Sequence, residues 1–93
     1  MDKVEARHLL DEFLQELKNR SYLELQELIG KPECVEQQGP SGTRYQIEYE
    51  AVWDTKPWGD LRIIVSIDDG GLLSAMLPVT SDFLITPQGE IIA

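Results

Sequence analysis

His8 is the one histidine of this 93-residue chain and Cys34 the one cysteine, so the proton-transfer and nucleophilic chemistry open to it is narrow. An imidazole has the ordinary pKa best suited to acid and base work near neutrality. The helical stretch around His8, however, sets it almost opposite the apolar stripe, as a solvated group without a cleft or a partner. Cys34 has no second cysteine for a disulfide and no histidine beside it. It reads as a small buried hydrophobe, the usual state of a free cysteine. Asp68 with Asp69, and Asp54 with Asp60, are paired carboxylates at two loops, but no D-x-[DN]-x-[DN]-G run contains them. The strand between the pairs, at about 3.3 Å per residue, keeps them apart. Ser41, Ser66, Ser74 and Ser81 lie in no G-x-S-x-G elbow, and neither Gly70-Gly71 nor Trp58-Gly59 opens a helix as a phosphate loop does. The expectation is no catalytic residue, no metal site and no cofactor, and hence no enzyme.

Binding chemistry is better represented. Tyr22, Tyr45, Tyr49 and Trp53 could line a small-ligand pocket between helix and sheet, while Trp58, beside Pro57 and outside any alternation, stands in a loop. A loop tryptophan commonly folds back to close the end of a core. If exposed, it is the best single anchor for a protein partner, because interface hot spots favour Trp and Tyr. Val52, Ile64 and Met76, flanked by Glu48, Glu50, Arg62 and Ser66, form a narrow apolar line on the opposite sheet face. That line is either a dimer contact or scattered surface hydrophobes.

The elements that must position these residues follow from periodicity. From Asp2 to about Asn19, Ala6, Leu9, Leu10, Phe13, Leu14 and Leu17 recur by threes and fours within one arc, with Val4 outside it, which predicts an amphipathic helix. Ser21-Tyr22-Leu23-Glu24 is a capping-box pattern that opens a second, short helix ending at Gly30, with Pro32 beyond. Whether the first helix breaks or bends through Asn19 to Ser21 is left open by the pattern. Glu33 to Gln38 reads as a weak edge strand and Gly39-Pro40-Ser41-Gly42 as a turn.

From Thr43 to Asp54, Tyr45, Ile47, Tyr49, Ala51 and Trp53 alternate with polar residues, the period of two that gives a strand one apolar face. Asp60 to Asp68 alternates likewise, and the loop between them sets Trp53 opposite Leu61, Ala51 opposite Ile63 and Tyr49 opposite Val65. Arg62 then falls opposite Val52 and diagonal to Glu50 and Asp54. A three-residue loop at Asp69-Gly70-Gly71 pairs Ile67 with Leu73, Val65 with Ala75 and Ile63 with Leu77. Pro78 implies a bulge or the end of that strand, Thr80-Ser81-Asp82 is a polar corner, and Phe83-Leu84-Ile85 a short final strand.

The length is that of one domain, residues 1–93, helical over 1–30 and antiparallel sheet over 33–93. Seventeen Asp and Glu against eight Lys and Arg give a net charge of -9. A field of that sign repels nucleic acid and anionic membrane surfaces and favours a basic protein partner or plain solubility. The lone cysteine and the charged N-terminal residues point to the cytoplasm.

The runs Tyr45-Gln46-Ile47-Glu48-Tyr49-Glu50, Asp54-Thr55-Lys56-Pro57-Trp58-Gly59-Asp60-Leu61-Arg62, Ser66-Ile67-Asp68-Asp69-Gly70-Gly71 and Thr80-Ser81-Asp82-Phe83 resemble small bacterial proteins of unassigned activity. That resemblance implies no active site. Helices followed by an antiparallel meander also resemble, in topology alone, the cystatin-like and NTF2-like classes. The fold expected is α+β, helices packed on a curved sheet of about four strands. The function expected is a non-catalytic cytoplasmic interaction or regulatory module, immunity-like towards a basic partner or self-associating as a homodimer. The alternative is a small-ligand protein with the aromatic pocket. Fold analogy decides neither.

Overall fold

The Asp2 carboxylate accepts from the amides of Val4 and Glu5 at 3.0 and 3.1 Å, and this cap opens helix α1, Lys3–Lys18. The computed structural model describes residues 1–71 and 78–92. Ala6, Leu9, Leu10, Leu14 and Leu17 form the buried stripe of α1, and Val4 stays 83% exposed, as its place on the helical wheel requires. The chain breaks after Asn19. Ser21 then caps helix α2, Tyr22–Gln26, with both halves of the capping box made: Glu24 N donates to Ser21 Oγ at 3.1 Å and Ser21 N to Glu24 Oε1 at 3.2 Å. Those bonds hold the Glu24 carboxyl below its usual range. α2 is shorter than the sequence suggests. Turn bonds replace helix beyond Gln26, and Gly30 takes the left-handed conformation, φ 69°, that fits a residue closing a helical stretch.

Four strands follow: β1 (Glu33–Gln38), β2 (Arg44–Trp53), β3 (Leu61–Asp68) and β4 (Val79–Ile85). They lie in one antiparallel meander, in the order β1-β2-β3-β4. β2 pairs with β3 in the expected register, Trp53 opposite Leu61, Ala51 opposite Ile63, Tyr49 opposite Val65 and Val52 opposite Arg62. The face carrying Tyr45, Ile47, Tyr49, Ala51, Leu61, Ile63, Val65, Ile67, Phe83 and Ile85 is buried, with α1 laid over β3 and β4 and α2 over β3. Each aliphatic side chain taken fully from water there contributes roughly 1.5–3 kcal/mol before the cost of ordering the chain.

Around β3, at residues 80–82 and at Cys34 the structure differs from expectation. The strand beside β3 is Val79–Ile85, with Ile67 opposite Val79, Val65 opposite Ser81 and Ile63 opposite Phe83. The expected partners of Ile67, Val65 and Ile63, namely Leu73, Ala75 and Leu77, lie outside the described residues. Residues 72–77, including Ser74 and Met76, lie outside the described residues. The two registers differ by an even number of residues, so both put the same side chains on the same faces. What selects the observed one is Phe83 and Ile85, each 1% exposed in the core, together with the ion pair of Asp82 with Arg62 on the other face. Thr80-Ser81-Asp82 is accordingly strand, not corner. Cys34 is exposed rather than buried, because Val35 and Gln37 take the inward positions of β1 and Cys34 stands opposite Glu48 on the outer face.

Glu5 ties α1 to the β1–β2 hairpin. Its carboxylate accepts from the Tyr45 hydroxyl and the Ser41 hydroxyl, both at 2.7 Å, and from the Ser41 amide at 3.0 Å. The bond from Tyr45, and after it those from Ser41, hold the Glu5 carboxyl below its usual range. Gly39 leaves room for this latch, since a Cβ there would meet Glu5 Oε1 at 2.7 Å. The Tyr45 phenol is pushed up to about 12, by burial first and then by the Glu5 carboxylate.

Below pH 10.0, the ordinary phenol value, Tyr45 is neutral in the folded and the unfolded chain alike. From there to about 12 the unfolded chain ionises first, so stability falls as the pH rises through that window. Tyr45→Phe is expected to lower stability at neutral pH by about 1 kcal/mol, the net value of one hydrogen bond. It also makes the alkaline decline shallower, leaving the part due to Tyr22 and Tyr49, whose phenols are raised as well. Chemical denaturation at stepped pH reads both effects.

Candidate functional site

Asp54 N donates to Asp60 O at 2.9 Å, closing the loop between β2 and β3, and Gly59 N donates to Lys56 O at 3.1 Å within it. That second bond makes Lys56-Pro57-Trp58-Gly59 a tight turn, with Pro57 pre-set for its second position and Trp58 third at φ 66°. The geometry fits a type II turn, whose third position normally holds glycine or asparagine. For a residue with a Cβ the left-handed conformation costs about 1–2 kcal/mol. The turn holds because the Tyr22 hydroxyl donates to Gly59 O at 2.7 Å and because Trp58 leans on Trp53, ring centroids 5.8 Å apart and planes tilted by 46°. Burial, and after it the charge of Asp60, raise the Tyr22 phenol above its usual value, so the donor stays protonated.

Trp58 is left 69% exposed, which resolves its alternatives in favour of a solvent-facing ring. It stands over an open cleft of about 510 Å3 lined with Ser21, Tyr22, Leu23 and Gln26 from the α2 region and Pro87, Gln88 and Gly89 from the turn after β4. That last turn is built by Gly89 N donating to Thr86 O at 2.8 Å and Thr86 N to Glu90 O at 2.9 Å. A smaller groove of about 380 Å3 continues beside it between Leu23, Gln26, Glu27 and Trp58. Leu23 is 70% exposed, so two large apolar side chains face water side by side.

The other candidate residues do not join this site. Tyr45 and Tyr49 are core residues with their hydroxyls engaged, Tyr45 on Glu5 and Tyr49 on Glu33 at 3.1 Å. Burial, then the bond and charge of Glu33, raise the Tyr49 phenol. Of the four expected pocket aromatics, Tyr22 borders the cleft, and Trp53 supports Trp58 from below. Glu48, Glu50, Val52 and Ile64 lie on the outer sheet face, away from the helices and from Trp58. Val52 is 39% exposed and Ile64 half-buried there, with Leu84 opposite Arg62 in the next strand. Arg62 centres that face, held by two bonds to Asp54, at 2.9 and 3.1 Å, and by one to Asp82. Asp54 and then Asp82 push its pKa upward.

His8 is exposed, as expected, with Nε2 at 2.7 Å from Glu12 one helical turn on. It borders a polar cleft of about 450 Å3 between α1 and β4 with Asp11, Glu12, Lys18, Ser81 and Asp82. Among the described residues no three His, Cys, Asp or Glu side chains are placed to hold a metal, and no helix is long and apolar enough to cross a membrane. Sequence reasoning missed Leu23, Gln26 and Pro87 as neighbours of Trp58. The one available signal was the capping box, which fixes α2 and so turns Leu23 outward while Tyr22 and Leu25 go in.

Tyr22→Phe is expected to lower stability by about 1 kcal/mol and to loosen the turn. Amide hydrogen exchange should quicken at Asp54 and Gly59, the donors that close the loop, while α1 amides keep their protection.

No family model, curated protein or solved structure matches the chain.

Proposed function

We propose that the chain is a non-catalytic interaction module, acting in the cytoplasm on a basic protein partner, with Trp58 as its anchor. The observation that carries this reading is the exposed indole on a turn that is closed by backbone bonds and pinned by Tyr22 despite an unfavourable backbone. A rigid exposed tryptophan beside a cleft has the character of an interface hot spot, since little side-chain freedom is lost when a partner covers it. The net charge of -9 supports a cationic partner by raising encounter rates and opposing anionic surfaces. The groups capable of proton transfer add no competing reading, with His8 in solvent and the tyrosines fixed to acceptors in the core.

A small-molecule site is the second reading, favoured by the volume of the Tyr22 cleft, which falls within the roughly 300–1,000 Å3 of ligand sites. The cleft is open, and two of the aromatic walls it would need, Tyr45 and Tyr49, serve the core instead.

Trp58→Gly separates binding from folding, because glycine accepts the positive φ and keeps the turn. Native mass spectrometry of the protein isolated from its own cells should show a basic protein bound at low salt and lost as salt rises. The Trp58→Gly variant, folded by circular dichroism, should carry none. Equal capture by the variant would remove Trp58 from the interface, and a bound small molecule in place of a protein would favour the second reading.

A further inference from the structure

The turn after β4 begins a further strand. Thr86 N donates to Glu90 O at 2.9 Å and Ile92 N to Leu84 O at 3.0 Å, so Ile91 stands opposite Ile85 in an antiparallel bridge on the side of β4 away from β3. Along an antiparallel strand successive residues turn their backbone groups to opposite sides. Leu84 and Thr86 therefore present theirs to the outer edge, and in the unbroken register with β3 so do Asp82 and Thr80. Both are exposed, and among the described residues no strand lies beyond them, β4 being last in the sheet. The outer edge of β4 is thus paired at one end and open at Thr80 and Asp82.

This open stretch forms one wall of the polar cleft of about 450 Å3 between α1 and β4. The facing wall is one flank of α1, with His8, Asp11, Glu12, Gln15 and Lys18 on successive turns. Three carboxylates, Asp11, Glu12 and Asp82, stand there against one ammonium, that of Lys18, which lies 5.6 Å from the Phe83 ring. Glu12 holds His8 and Asp82 holds Arg62, while Asp11 makes no ion pair among the described residues. A strand laid beside β4 at the usual spacing of about 4.8 Å runs along this cleft.

The geometry points to strand addition: an extended basic segment of a protein partner pairs with the open edge of β4, its alternate side chains turned towards α1. Main-chain bonds to Thr80 and Asp82 supply affinity, and lysine or arginine at the inward positions meets Asp11 and Glu12. The other set of side chains lies on the outer sheet face beside Leu84. A second copy of this chain fits less well, since it brings its own Asp82 and a net charge of -9 to the same edge. The inference shares with the Trp58 reading only the sign of the partner's charge, and it stands without Trp58 as an anchor.

The test titrates the nitrogen-labelled full chain, followed by amide NMR, with a peptide that alternates lysine and threonine. Signals of Thr80, Asp82, Leu84 and Asp11 should move, and hydrogen exchange at Thr80 and Asp82 should slow. Residues of the added strand that bond to β4 are those with outward side chains, so N-methylation at the threonines should weaken binding by about tenfold, and N-methylation at the lysines should leave it. Asp11→Asn with Glu12→Gln should weaken it by about fivefold. Thr80→Pro, tolerated where a strand N–H faces outward, should do the same, and circular dichroism checks its fold. Equal binding of the two methylated peptides overturns strand addition, and the reverse order overturns the inward placing of the cations. Equal binding of a glutamate–threonine peptide overturns the basic occupant. Shifts confined to Leu23, Gln26 and the Trp58 indole overturn this cleft while supporting the Trp58 anchor, and no shift at all overturns the cleft.

Discussion

Three tyrosines are buried, and a buried hydroxyl must find an acceptor or lose a hydrogen bond it had in water. That constraint ties the protein together. Tyr45 reaches from β2 to Glu5 on α1, Tyr49 from β2 to Glu33 on β1, and Tyr22 from α2 to the carbonyl of Gly59 in the β2–β3 loop. Each bond joins elements that are distant along the chain or lie at the sheet edge, and each sits where a ring closes the apolar layer while its oxygen emerges from it. Packing of Leu10, Leu17, Ile63 and Phe83 makes the layer cohesive without preferring one orientation of helix over sheet. The phenol–carboxylate and phenol–carbonyl bonds are directional, and they supply that preference.

The same constraint divides the acidic groups into two kinds. Glu5, Glu24 and Glu33 are engaged inside the fold, as latch, cap and tyrosine acceptor, and Asp54 and Asp82 hold Arg62 on the outer sheet face. Glu27, Glu48 and Glu50 have solvent-facing positions, so the negative field comes from side chains whose removal leaves the fold standing. A surface of this kind can change its partner electrostatics without altering its core, since exposed charges interact with the core only weakly. The outer sheet face is then a self-contained ion-pair patch around Arg62, while the Trp58 site lies on the helix side. Trp58 and the line of Val52 and Ile64 therefore cannot belong to one small interface, and a partner centred on Trp58 leaves the outer face uncovered.

How much of this the sequence carried depended on whether a feature was local. The apolar stripe of α1, the Ser21 capping box and the five-residue loop that sets Trp53 opposite Leu61 all involve neighbours in the chain, and each was legible. The partner of β3 was not. Val79-x-Ser81-x-Phe83-x-Ile85 and the segment from Leu73 to Leu77 alternate with the same parity, and parity fixes which face a side chain takes, not which residue lies opposite it. Cys34 misled for a related reason. A single apolar neighbour, Val35, decides the parity of β1, and general burial preferences pointed the other way. Glu5 gave no sign of its role, because a glutamate in a first helical turn is already accounted for by the helix dipole.

Trp58 shows why an exposed aromatic on a tight turn can be invisible to pattern reasoning. Propensity places glycine or asparagine third in a type II turn, and hydrophobicity places tryptophan inside; this residue violates both rules at once. Turn bonds alone would suit a smaller residue better, so the fold tolerates the indole there by stacking it on Trp53 and by fixing Gly59 with Tyr22. A ring held in place by such supports has little conformational entropy left to lose, which is what the proposed role as an anchor requires. Local strain and exposed aromatic surface meet at this one residue. Neither improves the stability of the isolated chain.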